Sequence, residues 1–258
     1  MSKLQFDYWT EFRYTEPVTE SHYTFKCLPK DTDMQSISRL SIELVPEHDC
    51  QRGTDSFGNL TVHDDLYLSH DYFSIRITGM AETGLAAGDR ADGYTGLYRY
   101  PYGLNRAGEG IRAYFSKIMA EKTEGNTALY LMNCLHRDFI YEKGVTHVGT
   151  TAEEAYSLGR GVCQDYAHIF IALCHLAGLT ARYVTGMMVG EGYSHAWVEV
   201  LSDGVWLGYD PTNGCAVGGD YIKIAAGRDA NDCVINKGIM KGGGWQQQSV
   251  SVRVDEIL

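Results

Sequence analysis

The early part of the chain alternates apolar and polar residues one for one. Leu40, Ile42 and Leu44 are interleaved with Ser41 and Glu43, and Phe73, Ile75 and Ile77 with Ser74, Arg76 and Thr78. A period of two places every second side chain on one face, so both runs predict half-buried strands. The turn-forming stretch Asp55-Ser56-Phe57-Gly58-Asn59 lies between them and leads into another short strand over 60–68. Several short strands without helical spacing predict a small antiparallel β-sandwich over residues 1–80. The next segment, 81–104, holds Gly84, Gly88, Gly93, Gly96 and Gly103 and reads as a linker.

Beyond it, residues 105–258 form a second predicted domain, in which the spacing turns helical. Ile111, Phe115, Ile118 and Met119 make one apolar stripe, and Leu129, Met132, Leu135 and Phe139 a second, with Asn126 as its N-cap. Thr151-Ala152-Glu153-Glu154 has the form of a capping box, so a short helix begins at about residue 152 and stops near Gly159. The run from Cys163 to Ala177, closed by Gly178, is apolar on nearly every side, as a helix buried in a core must be. Strands follow at 181–189, 195–201 and 205–210, and the alternating stretch 249–254 returns to a sheet. The fold class is therefore α+β.

Composition narrows the function. A formal charge of −11 works against nucleic acid or an anionic membrane surface as the main partner, because like charges repel. No apolar run approaches the length of a membrane span, and the N-terminus lacks the apolar core of a signal peptide. The seven cysteines are odd in number and scattered, which does not suit a disulfide framework. A reducing cytoplasm is the simplest location.

One cysteine stands apart. Cys163 follows Gly161 and Val162 and precedes polar Gln164 and Asp165, which puts it in the first turn of the buried helix. Free backbone N–H groups and the helix dipole stabilise a thiolate there, and the same N–H groups can hold the oxyanion formed when sulfur attacks a carbonyl. Cys27, Cys50, Cys134, Cys174, Cys215 and Cys233 read as structural.

A base for that thiol is offered by a hairpin. Asp203-Gly204 between two alternating runs predicts a two-residue loop. Asp210 then faces Trp197 and His195 faces Thr212, so His195 and Asp210 share a sheet face as diagonal neighbours, about 7–8 Å apart at Cβ. The same face carries Trp197, Glu199 and Trp206, and the two tryptophans predict a partly covered cleft. His168 and His175 read as structural. The cysteines and histidines lack paired ligand spacing, so no metal is expected, and the glycine clusters at 190–192 and 242–244 lack the setting of a phosphate loop.

Gly161-Val162-Cys163-Gln164-Asp165-Tyr166-Ala167-His168, Ser194-His195-Ala196-Trp197 and Asp210-Pro211-Thr212-Asn213-Gly214 together resemble the transglutaminase-like superfamily of papain-related cysteine enzymes. Tyr14-Thr15-Glu16-Pro17-Val18 and the 55–59 turn resemble the β-rich N-terminal domain of its bacterial members. The resemblance implies a papain-like, transglutaminase-like core in which the Cys-bearing helix packs on an antiparallel sheet. It also implies Cys163 as nucleophile, His195 as general base and acid, and Asp210 as the partner orienting the imidazole. Animal transglutaminases take an oxyanion donor from a tryptophan upstream of the cysteine. None lies between Trp9 and Trp197 here, so Tyr141 and Gln164 are candidates, with Trp197 as a supporting residue. Calcium-site clusters have no counterpart, and no cofactor is expected. The implied activity is acyl transfer at amide or peptide bonds through a thioester, most simply hydrolytic. The alternatives are a protein-glutamine transamidase and a non-catalytic module that keeps the cleft.

Overall fold

A computed structural model describes residues 1–91, 93 and 95–257. Asp92 and Tyr94, within the predicted linker, and Leu258 lie outside the described residues.

The organising element is one the alternation at 40–44 and 73–77 did not announce. β1 (Ser2–Phe25) is a single long strand in which Leu4, Phe6, Tyr8, Phe12, Tyr23 and Phe25 are buried. β2 (Gln35–Val45), β3 (Gln51–Thr54), β4 (Leu60–Leu66) and β5 (His70–Thr83) follow it. The first half of β1 pairs with β5, which pairs in turn with β2, and the second half pairs with β4, which pairs with β3. The register of β1 shifts between Arg13 and Val18, where β4 gives way to β5. The sheet bends at that corner, and the predicted sandwich is one sheet folded on itself. Phe12, Tyr23, Phe25 and Phe73 meet across the fold, with Phe25 and Phe73 stacked at 5.9 Å.

Residues 89–90 form β6, and the helices α1 (Glu109–Glu121), α2 (Thr127–Asp138), α3 (Ala152–Leu158) and α4 (Cys163–Leu176) follow. Their signals act as read from the sequence. The Asn126 side chain accepts from the Leu129 N–H at 3.0 Å. Thr151 and Glu154 form a reciprocal capping box, and Gly159 ends α3 in the left-handed conformation. Between the helices, β7 (Ile140–Tyr141) and β8 (Arg160–Gly161) make a short parallel bridge that ties Tyr141 to the approach of α4.

The second sheet contains β9 (Ala181–Met188), β11 (His195–Ser202), β12 (Val205–Asp210), β13 (Cys215–Ala216) and β14 (Tyr221–Gly227), in the order β13-β12-β11-β9-β14, with β6 beside β12. α4 lies against β9 and β11. Ala196, Val198, Val200 and Tyr209 face the same core as Ile169, Phe170 and Leu173, which explains a helix apolar all round. The hairpin loop is Asp203 and Gly204, both at positive φ, as a two-residue primed turn requires. Val198 therefore opposes Tyr209, the predicted register.

The last strands leave this sheet. β10 (Gly190–Gly192), β15 (Asn236–Gly242) and β16 (Gln246–Glu256) all join the N-terminal sheet, β16 beside the first half of β1 and β15 beside the second. The alternation at 249–254 thus returns to the first sheet. β10 pairs with β16 three residues before His195, so the loop leading to that histidine is fastened to the N-terminal sheet.

Candidate active site

Gly161 and Asp165 shape the turn into α4. A Cβ at Gly161 would overlap the Asp165 side chain, so glycine lets that carboxylate fold back over the turn. Asp165 Oδ2 accepts from the Val162 N–H and the Thr146 hydroxyl, both at 2.7 Å. Burial pushes the Asp165 carboxyl up from its ordinary value, and these two hydrogen bonds oppose the shift only in part. Asp165 N and Tyr166 N both donate to Val162 O. The N–H groups of Cys163 and Gln164, in the first turn, have no helical carbonyl to reach and point out of its start.

His195, at the start of β11, bonds Asp210 and lines the same cleft as Cys163. Its Nε2 lies 2.7 Å from Asp210 Oδ2, which leaves Nδ1 for the sulfur. Burial lowers the imidazole's affinity for a proton. Hydrogen bonds to Asp210 and to Cys163 outweigh that and raise its pKa from 6.5 to about 10. Asp210 is fully buried, yet burial, which would raise its pKa, is overcome by His195 and Asn213, and it is lowered. Its Oδ2 also accepts from Asn213 Nδ2 at 2.7 Å and Tyr221 Oη at 2.9 Å, and its Oδ1 from the N–H groups of Thr212 and Asn213 at 2.9 and 3.1 Å. A carboxylate held by this many donors stays ionised and keeps its orientation.

An open cleft of about 270 Å³ runs over Cys163 and His195, lined also by Tyr141, Gln164, Tyr183 and Tyr193. Tyr141 and Gln164, the two candidate oxyanion donors, both line this cleft. The Gln164 side-chain amide is turned to Val148 O at 3.1 Å. Trp197 is placed differently from the cleft wall its sequence position suggested. At 1 % exposure it lies beneath the site, edge-on to Tyr221 at 5.4 Å. Trp206 is buried further along the face, under the Arg182 guanidinium at 4.2 Å. Glu199 belongs to that same interior: it bridges Arg182 at 2.6 Å and Lys223 at 2.8 Å, and Lys223 also pairs with Asp89. The two tryptophans thus pack the sheet and do not roof the cleft. His168 is buried with its Nε2 accepting from the Ala230 N–H at 3.1 Å, and burial lowers its pKa to about 3, so it stays neutral.

Asp165, Asn213 and Tyr221 were missed in the sequence. Asn213, three residues after Asp210 in a turn, carried a local signal. Tyr221 arrives from β14 and carried none.

Two family models match the chain: the transglutaminase-like superfamily over residues 112–211, and the bacterial transglutaminase-like N-terminal region over residues 4–82. Over these two stretches the chain matches the transglutaminase-like superfamily. Its transglutaminase-like core spans Cys163, His195 and Asp210. A protein described as a putative cysteine protease from Cytophaga hutchinsonii shares the fold, with a TM-score of 0.80 at 21% identity over 99% of this chain and 91% of that one. Uncharacterized protein ML0607 of Mycobacterium leprae is 27% identical over the full length of both chains. Uncharacterized protein Mb2599c of Mycobacterium bovis is 27% identical over 90% of this chain and 85% of its own. Among the described residues, no helix is long and apolar enough to cross a membrane.

Proposed function

We propose that this transglutaminase-like protein is a cysteine-dependent acyl-transfer enzyme that hydrolyses amide or peptide bonds in a peptide or protein substrate. The observation that carries the reading is the imidazole bonded to the buried Asp210 carboxylate in the same cleft that Cys163 lines. His195 takes the thiol proton at Nδ1 while Asp210 fixes Nε2–H, leaving a thiolate beside an imidazolium. The thiolate attacks the carbonyl carbon, and the carbonyl oxygen becomes an oxyanion held by the Cys163 and Gln164 N–H groups. The imidazolium then protonates the departing nitrogen, so ammonia or an amine leaves and a thioester remains. His195, neutral again, draws a proton from water, whose hydroxide part cleaves the thioester to a carboxylic acid and restores the thiol.

Water is favoured over an amine as acceptor because the cleft is open and its rim tyrosines, Tyr141 and Tyr193, are exposed. A cytoplasmic location is part of this reading, since a nucleophilic thiol must stay reduced to work. Peptide amides incubated with and without an added primary amine test it. Release of free acid without the amine is expected, and product formed only with the amine would replace hydrolysis by transamidation.

The active pair also fixes a pH dependence. The imidazolium is favoured in the folded protein, so its contribution to stability is complete below about pH 6.5 and is lost as the pH rises through about 10. Activity that needs the imidazolium as acid should therefore persist in alkali and fall only near pH 10. Profiles of kcat/KM against pH check this, and an alkaline limb near neutrality would contradict it.

A further inference from the structure

The folded N-terminal sheet leaves one edge open. β15 pairs with β1 on one side and with nothing on the other among the described residues, and its residues from Lys237 to Gly242 are all exposed. Every second peptide unit of such an edge presents an N–H and a C=O with no strand partner. The edge also borders a cavity of about 530 Å³ between the two halves of the folded sheet. Phe12, Tyr14 and Phe73 line it from one half, and Tyr23, Phe25 and Met240 from the other. The Ser21 hydroxyl on its wall is buried without a partner, a polar atom waiting for one.

We propose that β15 and this cavity form a docking site for an extended acidic segment of a partner protein, which adds to the sheet as a further strand. Main-chain hydrogen bonds to β15 would supply affinity, and alternate side chains would supply specificity. Side chains on one face of the added strand enter the cavity beside Met240 and roof its aromatic walls. On the other face they meet Lys237, Ile239 and Lys241, which share a side of β15. The acidic neighbours on that side, Glu20 and Asp65, are both engaged by His22, at 3.2 and 2.6 Å. The lysines are therefore the edge's own charge, and they ask for an acidic, apolar, acidic alternation opposite them. Lysines alone would serve to keep the edge from pairing. An edge built only for protection has no need of Ile239 at 73% and Met240 at 40% exposure beside an aromatic cavity.

The probe is a fluorescein-labelled peptide, acetyl-Thr-Glu-Phe-Val-Phe-Glu-Thr-amide, titrated into the full chain at low salt and followed by anisotropy. Saturable binding is expected, with added protection of the 236–242 amides in hydrogen exchange. Lys237→Glu/Lys241→Glu, two exposed changes, should weaken binding about tenfold and favour the probe with lysine in place of glutamate. Cys163→Ala should bind as wild type, which keeps this result separate from the chemistry of the cleft. No binding, equal affinity of the double variant, or binding without new protection at 236–242 would each overturn the proposal.

Discussion

Cys163→Ala is expected to abolish amide turnover, with a fall of about a million-fold in kcat, the scale seen when a covalent nucleophile is removed from a site whose parts act as a unit. The sulfur supplies the bond that becomes the thioester, and no other group in the cleft replaces it. Tyr141 and Tyr193 line the same space, but a phenol is a poor nucleophile beside a thiol. The fold should survive, because Cys163 is only partly buried, at the first turn of α4, and alanine suits a helix start. Product release by mass spectrometry, with circular dichroism of the same sample, checks both halves. A folded Cys163→Ala protein that still turns over would remove the thioester from the mechanism.

The second large effect is expected at Asp210, and it follows from the five donors around its carboxylate. Asparagine has the same shape but can accept at only one end. If its NH₂ replaces Oδ2, it donates toward His195 Nε2, which must then be unprotonated, and the remaining proton moves to Nδ1 and blocks proton uptake from sulfur. If the NH₂ replaces Oδ1, it meets the N–H groups of Thr212 and Asn213, and two donors lose their acceptor. Either way Asp210→Asn should lower kcat about 10³–10⁴-fold. The imidazolium also loses the largest support of its charge, so the alkaline limb of any residual activity should move below pH 10. Kinetics of the variant, together with its pH profile, measure both; near wild-type rates would release Asp210 from its role.

Much of this site was legible because its information is local. A capping residue, a two-residue hairpin loop and a helix apolar on all sides each depend on neighbours a few residues away. Asp203-Gly204 alone sets the register that brings Asp210 onto the face of His195. What escaped depends on the returning chain. Tyr221 reaches Asp210 from β14, and nothing in the residues around it marks a hydrogen-bond donor to a buried acid. The tryptophans misled for a related reason: alternation gives the face, but the layer beyond that face decides whether it is cleft or core. Arg182, Lys223 and Tyr221 fill that layer, and they turn Trp206, Glu199 and Trp197 inward. β1 is a different case. Its apolar alternation from Leu4 to Phe12 was available, and its length follows from the bend between Arg13 and Val18, which lets one strand serve both halves of the sheet.

The central claim is that His195 and Asp210 activate Cys163, and limited alkylation tests it against exposure alone. Cys215 is exposed and does not line the cleft, whereas Cys163 is only partly accessible. With trace iodoacetamide at pH 6 and peptide mapping, Cys163 should be modified well before Cys215, and His195→Ala should erase that preference. Equal or slower labelling of Cys163 than of Cys215, or a preference that persists without His195, would contradict the account.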